Sequence, residues 1–424
     1  MSLLMLQYAG KSYLMKVYLV GGAVRDKLLG IPVQERDWVV VGSTPQQLLD
    51  KKFRQVGRDF PVFLHPETKE EYALARTERK SAPGYYGFDC DFNSTVTLEE
   101  DLGRRDLTIN AMAMDEQDNL IDPYQGQQDL NNRILRHVSP AFVEDPVRVL
   151  RVARFAARFH YLGFKLANET RSLMYSMVKQ GELKHLVPER VWQELQRSLS
   201  EKNPEQFILS LRSCGALQVI LPELNALFGV PNPYQYHPEI DSGVHTLMVL
   251  EAAVSLSQDP VIRFAALVHD LGKALTPMGI WPKHHGHEEK GGSVIESLCS
   301  RLRIPNDYRT LANLVSRFHL KIHRLFELRA STIVRLLEQS DAFRRPQLFY
   351  NLLIACQADA EGRGKTINYH QAPRWSYVLS ECVKVNAQAL ITQGYKGNGI
   401  KEALHQHRVA CVELILNSWK LNEK

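Results

Sequence analysis

The sequence lacks any long hydrophobic run. No stretch of its 424 residues approaches the roughly 20 apolar residues that a membrane-spanning helix needs. Residues 1–14 also lack a basic segment ahead of their apolar residues and a clear cleavage site, both of which a secretory signal would have. These absences predict a protein with no membrane partner, in which residues 1–14 are an N-terminal extension ahead of the first domain.

Cysteine is scarce and scattered. The chain has six cysteines, and none of them forms a C-x-x-C pair. This spacing argues against a disulfide framework and against a cysteine zinc site, and it favours reduced thiols in a cytoplasmic protein. The cysteines are Cys90, Cys214, Cys299, Cys356, Cys382 and Cys411.

Neither sign of charge is in large excess. The chain has 52 basic and 47 acidic residues, a formal charge of +5, and it is 44% hydrophobic and 23% charged. This composition is typical of an ordinary globular protein, and the length allows two to four domains. The small positive charge leans towards anionic partners but specifies none of them.

The strongest local pattern lies in residues 16–41. An apolar run at 17–20 is followed by Gly21-Gly22 and by a short helical segment that ends at Gly30. This order predicts a buried strand, a tight turn and a helix. Because glycine has no Cβ, backbone N–H groups at such a turn can approach a phosphate closely, and Arg25, one helical turn on, can reach the same anion.

Two acidic residues follow in the next predicted strand. Because strand side chains alternate, Glu35 and Asp37 are expected on the same face, about 7 Å apart. Two carboxylates beside a phosphate-binding turn suit Mg²⁺ bound to a nucleoside triphosphate. A solvated strand face is the alternative. The run Trp38-Val39-Val40-Val41 is typical of a strand covered on both sides, where unpaired carboxylates are costly.

An arginine-rich helix is predicted to begin near Pro146, which suits a first helical turn. Four arginines follow at spacings of about one turn: Arg148, Arg151, Arg154 and Arg158. No acidic residue lies between positions 146 and 168. Because a solvated helix face normally carries acids at i+4, the arginine set predicts an anion site.

Four motifs together resemble those of bacterial tRNA nucleotidyltransferases, the CCA-adding enzymes of the polymerase β superfamily. They are GGAVRD at 21–26, the E-x-D pair at 35–37, RRDLTINAMA at 104–113 and EDPVRVLRVARF at 144–155. The resemblance implies an α+β fold: a polymerase β-like head with a mixed sheet and helices, followed by an all-α body. It also implies addition of C, C and A to the 3′ end of tRNA from CTP and ATP, with Mg²⁺ and without a nucleic-acid template.

The resemblance implies catalytic roles for three acids. Glu35 and Asp37 would hold Mg²⁺, although the family usually has aspartate at both positions, so that Glu35 places its carboxylate about one methylene further out. Glu71, in the predicted strand 71–76, matches the place of a third carboxylate that could activate the primer hydroxyl. A surface acid is the alternative for Glu71.

The resemblance also implies nucleotide-binding residues. Gly22 and Arg25 would lie against the nucleotide, and Arg105 would bind the triphosphate while Asp106 and Asn110 brace the local turn. The carboxylate of Asp145 would accept from the exocyclic amine of C or A, and Arg148 would donate to a ring acceptor. Two further arginines of the same predicted helix, Arg151 and Arg154, would hold phosphates or ribose.

Histidines concentrate in residues 237–359, around the adjacent pair His269-Asp270. This region resembles the HD phosphohydrolase family, whose metal ligands are an early His, the His-Asp doublet and a distal Asp. The resemblance implies that Ni²⁺ or another divalent metal is held by His245, His269, Asp270 and, as the best distal candidate, Asp359. It further implies 2′,3′-cyclic phosphodiesterase, 2′-nucleotidase and phosphatase activity through a metal-activated water. A vestigial site is the alternative.

These patterns predict a nucleotidyltransferase head at 15–140, a helical neck with the nucleotide-selecting helix at 141–225, an HD domain at 226–360 and a helical tail at 361–424. Two other functions stay open. A bacterial poly(A) polymerase would share the head motifs, and an HD phosphohydrolase could carry a head that only binds RNA or nucleotide. A monomer and a homodimer are both compatible with the sequence.

Overall fold

The computed structural model describes residues 15–56, 62–80, 88–91, 93–233, 241–363, 368–392 and 394–422, and the expected extension 1–14 lies outside them. The chain forms two compact units, Met1–Ile220 and Leu221–Lys424. The division after Ile220 lies near the predicted boundary at residue 225, and the finer domain boundaries stay predictions.

The first unit contains all the strands of the described chain. They are β1 (Lys16–Val20), β2 (Asp37–Val41), β3 (Arg54–Val56), β4 (Val62–Leu64), β5 (Glu71–Leu74), β6 (Thr77–Lys80), β7 (Phe88–Asp91), β8 (Ala113–Met114), β9 (Leu120–Ile121), β10 (Ile134–Leu135) and β11 (Lys165–Leu166). Seven of them form one sheet in the order β3-β4-β5-β2-β1-β8-β9. In it β2 and β5 are parallel and the other neighbours are antiparallel.

Along the chain, the α-helices of the first unit lie between the strands and after them. They are α1 (Gly22–Leu29), α2 (Pro45–Asp50), α3 (Leu98–Gly103), α4 (Gly126–Asn132), α5 (Val147–Phe159), α6 (Asn168–Lys179), α7 (Pro188–Leu199), α8 (Glu205–Ser213) and α9 (Ala216–Ile220). Helix α2 begins where its sequence predicts, because Thr44 and Gln47 form a capping box and Pro45 occupies the first turn.

The central strand β2 is buried on both faces of the sheet. Val39 belongs to a cluster with Val20 and Leu102 on one face, and Val40 packs with Leu48 and Phe63 on the other. Because strand side chains alternate, Asp37 lies on the same face as Val39, at the end of the strand where that cluster stops. The run of valines after Asp37 therefore fixes the direction in which its carboxylate points.

All the regular elements named in the described part of the second unit are helices. Its helices are α10 (Pro222–Asn225), α11 (Ser242–Leu256), α12 (Pro260–Val268), α13 (His287–Leu302), α14 (Asn306–His323), α15 (Ala330–Gln339), α16 (Pro346–Glu361), α17 (Gln371–Lys384), α18 (Ala387–Thr392) and α19 (Asn398–Asn422). Val249, Ala253, Ala266 and Ala358 form a small-residue core where α11, α12 and α16 meet. Small side chains there allow the helix backbones to approach closely.

The predicted α+β architecture is confirmed, since a head with a mixed sheet precedes a mainly helical body. One detail of the prediction is wrong: the range 141–225 is not wholly helical, because β11 pairs in parallel with β10. Two-residue strands carry no alternating pattern by which a sequence could reveal them. Among the described residues, no helix is both long enough and apolar enough to cross a membrane.

Candidate active sites

The predicted glycine turn lies at the end of β1 and packs against an arginine. Gly21 has φ +68° and ψ −127°, a conformation that only glycine adopts readily. A Cβ built on Gly21 would lie 2.7 Å from Nη1 of Arg105. The absence of this side chain therefore lets the Arg105 guanidinium rest directly on the turn, and Gly22 begins α1 beside it.

A cavity of the first unit is lined by the glycine turn, Arg25 and Arg105. Arg25 is also engaged by contacts within the protein. Its Nε donates to Asp26 at 2.8 Å, and its guanidinium also donates to the Asn110 side chain. The guanidinium lies over the rings of Phe155 and Phe159, 5.3 and 4.9 Å from their centroids. Burial lowers the pKa of Arg25. The contacts show that Arg25 ties α1 to α5 as well as facing the cavity.

The two acids of the E-x-D pair both line this cavity. Burial raises the pKa of Asp37, Arg105 opposes that shift and the Glu35 carboxylate adds to it. The prediction that both acids lie on one strand is wrong, because β2 begins at Asp37. Its partner strand β1 ends at Val20, which is paired with Asp37, and the chain turns away at Gly21. Two carboxylates facing one cavity offer the oxygen ligands that Mg²⁺ prefers.

Glu71 lies next to Asp37 in the sheet, paired with it in parallel register between β2 and β5. Its side chain is exposed. Among the described residues, those that line the cavity do not include Glu71. Its role as a third carboxylate stays a prediction, supported by the register and not by the shape of the cavity.

Asp106 organises the turn that follows α3. Its Oδ1 accepts from the backbone N–H of Leu107 at 2.8 Å and from Asn110 Nδ2 at 2.9 Å, and its Oδ2 accepts from Arg151 Nε at 2.7 Å. Burial alone would raise the pKa of Asp106, but Arg151 and these hydrogen bonds lower it well below its ordinary value. The expected bracing by Asp106 and Asn110 is confirmed.

Neighbouring elements supply acidic partners for the arginines of α5. Arg151 pairs with Asp106, Arg154 Nε donates to Glu194 at 2.6 Å, and Arg158 donates to Asp26 at 3.0 Å. The helix itself carries no acid, as the sequence shows, but these three arginines are not unpaired. The anion site stays a prediction. Spacing within one helix cannot reveal carboxylates that come from α1, from the turn after α3 or from α7.

The cavity nevertheless keeps a positive excess. It has a volume of about 800 Å³, and its lining among the described residues includes ten arginines and five carboxylates. All the predicted nucleotide-binding residues belong to this lining: Gly22, Arg25, Arg105, Asp145, Arg148, Arg151 and Arg154. A cavity of this size and sign can accept a nucleoside triphosphate, whose phosphates suit guanidinium donors.

Asp145 is held at the entry to α5. Its Oδ1 accepts from the backbone N–H of Val147 at 3.0 Å, and its Oδ2 accepts from Arg190 Nη2 at 3.3 Å. Arg148 donates to the backbone carbonyl of Ala141. Arg190 lines the cavity but is absent from the sequence prediction. It lies on α7, and only the packing of α7 against α5 reveals it.

The second unit brings the four predicted metal ligands together. His245 Nε2 lies 3.0 Å from Asp359 Oδ1, and His269 Nε2 lies 3.7 Å from the same oxygen and 3.2 Å from Asp270 Oδ2. All four side chains are buried. Burial would lower the pKa of His269, but the carboxylates of Asp270 and Asp359 raise it to about 10. The distal candidate Asp359 therefore lies within the cluster.

His245, His269 and Asp359 form a first group of candidate metal ligands, and Asp270, His287 and His319 form a second group beside it. His287 and His319 were not among the predicted ligands. Asp270 Oδ1 lies 3.2 Å from His287 Nε2 and 3.7 Å from His319 Nε2. Burial, together with the nearby His269 and His287, lowers the pKa of His319 to about 3. The sequence shows both histidines among several, and their inward direction becomes visible only where α13 and α14 meet.

The donor atoms of the two groups fit divalent metal ions. Ligand atoms of His245, His269 and Asp359 lie within 4.8 Å of one another, as do those of Asp270, His287 and His319. Imidazole and carboxylate ligands suit Ni²⁺, Zn²⁺, Mn²⁺ or Fe²⁺. Oδ1 of Asp270 is buried and faces Nε2 of both His287 and His319, which fits ligand atoms arranged around a cation.

Comparisons with known proteins find matches to three parts of the chain. Residues 17–136 match the family described as "Poly A polymerase head domain", residues 163–228 match "Probable RNA and SrmB-binding site of polymerase A", and residues 243–346 match "HD domain". Among solved structures, the Bacillus stearothermophilus CCA-adding enzyme in complex with CTP superposes with a TM-score of 0.61 at 24% identity, covering 94% of this chain and 89% of that one.

A second solved structure and a curated relative complete the comparison. The Thermotoga maritima CCA-adding enzyme complexed with tRNA has a TM-score of 0.58 at 21% identity, covering 97% of this chain and 92% of that one. These two likenesses show the fold. The multifunctional CCA protein of Legionella pneumophila (strain Paris) is 76% identical over 410 residues, 97% of this chain and 100% of the relative. The resemblance inferred from the motifs is thereby confirmed, and the chain belongs to the multifunctional CCA protein family.

Proposed function

We propose that the first unit adds C, C and A to the 3′ end of tRNA from CTP and ATP in the cytoplasm. The observation that carries this proposal is one cavity in which the Glu35 and Asp37 carboxylates face a glycine turn and an arginine-rich wall. Arg105, held against Gly21, and Arg151 and other arginines of the wall would bind the triphosphate. Mg²⁺ held by Glu35 and Asp37 would align the primer hydroxyl and neutralise developing charge.

Base selection is assigned to the start of α5. The carboxylate of Asp145 can accept from the exocyclic amine of C or A, whereas the carbonyl of U or G at that position would face a negative charge. Arg148 would donate to a ring acceptor of the same base. Arg190 fixes the orientation of the Asp145 carboxylate. Selection would then need no nucleic-acid template.

The deciding experiment uses tRNA that ends before its CCA, incubated with the full chain, CTP, ATP and Mg²⁺. Sequencing of the product ends should show CCA, and Asp37→Asn should abolish addition while the protein stays folded. Long A tails would instead favour a poly(A) polymerase. No incorporation together with retained phosphodiesterase activity would favour a head that only binds RNA or nucleotide.

We also propose that the second unit hydrolyses phosphoesters at the histidine and aspartate cluster. The His269-Asp270 doublet supplies one residue to each ligand group, His269 to the first and Asp270 to the second. Asp270 Oδ2 faces His269, and Asp270 Oδ1 faces His287. Ni²⁺ or another divalent metal bound there would activate water for attack on phosphorus. His323 supports the first group, since its Nε2 lies 2.7 Å from Asp359 Oδ2 and its Nδ1 lies 2.9 Å from the Tyr369 hydroxyl.

The test offers 2′,3′-cyclic AMP with Ni²⁺ or Mg²⁺ to the full chain. His269→Ala and Asp270→Ala should each abolish hydrolysis and lower the metal content, while CCA addition persists. Hydrolysis that survives both substitutions would place the activity elsewhere. An Asp37→Asn variant is the matched control, because it should keep hydrolysis while losing nucleotide addition.

A further inference from the structure

In the described part of the second unit, three lysine or arginine side chains line a cavity next to the ligand groups. The cavity has a volume of about 570 Å³, and Lys273, Arg324 and Arg363 contribute to its wall together with Asp270 and Asp359. A site that binds divalent cations does not gain from additional cations near its ligands. Their presence calls for an anion or for internal partners.

Internal partners account for two of the three cations. Lys273 Nζ lies 2.6 Å from Asp270 Oδ2 and donates to Asn232 Oδ1 at 3.0 Å. Arg324 lies at the rim, where its side chain is 65% exposed and its Nε donates to Glu327 at 2.8 Å. Both side chains are therefore held by carboxylates or by an amide.

Arg363 is placed differently. It follows the end of α16, four positions after Asp359, and its side chain is largely buried. Its Nε is buried with no hydrogen-bond partner among the residues that the structure describes. Its Nη2 lies 3.5 Å from Asp359 Oδ2, an oxygen already bonded to His323 at 2.7 Å. Arg363 thus keeps donor capacity at the edge of the metal-ligand cluster.

We propose that Arg363 binds a non-bridging phosphoryl oxygen of the phosphoester that the second unit hydrolyses. A metal ion on Asp359 would place two cationic groups side by side, and a phosphate bound to both would compensate that repulsion. The planar guanidinium suits two phosphate oxygens at once, which an ammonium group does not match. This inference rests on the proposed hydrolase function and names the residue that recognises the phosphate.

Inorganic phosphate is the probe, titrated by calorimetry into the full chain loaded with Ni²⁺. Arg363→Gln should weaken phosphate binding by about 10- to 100-fold. The phosphate affinity of Arg363→Lys should lie between those of the wild type and of Arg363→Gln. Metal content, measured by mass spectrometry, should stay at the wild-type value in both variants. The matched control is Arg344→Gln, because Arg344 is an exposed arginine paired with Asp341 outside the cavity. It should bind phosphate like the wild type.

Three results would overturn the inference: no phosphate binding by the wild type, unchanged phosphate affinity in Arg363→Gln, or loss of the metal in that variant. The last would show that Arg363 acts only on Asp359. Failure of the hydrolase proposal looks different, since the wild type would then bind phosphate through Arg363 without hydrolysing 2′,3′-cyclic AMP. Where hydrolysis is present, Arg363→Gln should raise the KM more than it lowers kcat.

Discussion

The Gly21→Ala substitution adds a methyl group at the turn where the structure leaves least room. The backbone there has φ +68° and ψ −127°, so a side chain costs about 1–3 kcal/mol of folding free energy. The new Cβ would also lie 2.7 Å from Arg105 Nη1. Because a guanidinium ends a flexible side chain, we expect Arg105 to move. Losing one charge-assisted contact to the triphosphate should weaken CTP binding by about 10- to 100-fold.

Gly30→Ala provides the matched control. Gly30 also has φ +68°, but a Cβ there would meet no atom within 4 Å. Its expected cost is about 1 kcal/mol of stability, with CTP affinity unchanged. Urea unfolding gives the stability of each variant, and equilibrium titration with CTP gives the affinity. A folded Gly21→Ala protein that binds CTP as tightly as Gly30→Ala would refute the placement of Arg105 on the triphosphate.

Three further substitutions test other contacts. Arg190→Ala frees the Asp145 carboxylate, so the ratio of UTP to CTP incorporation should rise about tenfold in a competition assay, and an unchanged ratio would reject the positioning role. Glu194→Gln leaves the buried Arg154 without its carboxylate and should cost about 3 kcal/mol in urea unfolding, whereas a cost below about 1 kcal/mol would contradict this. The pKa of Asp106 is lower in the folded state than its ordinary value of 3.8. Its contribution to the stability of the fold is therefore complete when the pH is above 3.8, and it is lost as the pH falls towards the pKa of the folded state. Asp106→Asn should therefore flatten the acid side of the stability curve, and an unaltered acid side would exclude this explanation.

The local features of the head could be predicted because their causes are local. Residues 16–30 specify a strand, a glycine turn and a helix through an apolar run, two residues without Cβ and a C-terminal glycine at Gly30. The chain also places Asp37 beside buried valines, which sets its direction. Each of these causes acts over a few residues, so it can be recognised in the local amino-acid sequence.

Contacts between distant segments could not be predicted in the same way. The arginines of α5 pair with Asp26, Asp106 and Glu194, which lie 132, 45 and 40 positions away from their partners. No spacing rule links residues so far apart. For the same reason β2 starts at Asp37 and not at Glu35: the length of β1 decides where pairing stops, and that length is set by the turn at Gly21.

His269 and Asp270 are adjacent in the sequence but belong to different groups of candidate metal ligands. Neighbouring side chains on a continuous helix point about 100° apart and cannot both face one point. Helix α12 ends at Val268, and the chain leaves helical geometry at Asp270, where φ is −105° and ψ is 11°. The Asp270 carboxylate therefore lies between the groups, with one oxygen 3.2 Å from His269 and the other 3.2 Å from His287. The end of the helix at this position, together with the identity of the two residues, lets the doublet supply one ligand to each group. Substitutions that extend α12 should therefore disturb both groups together.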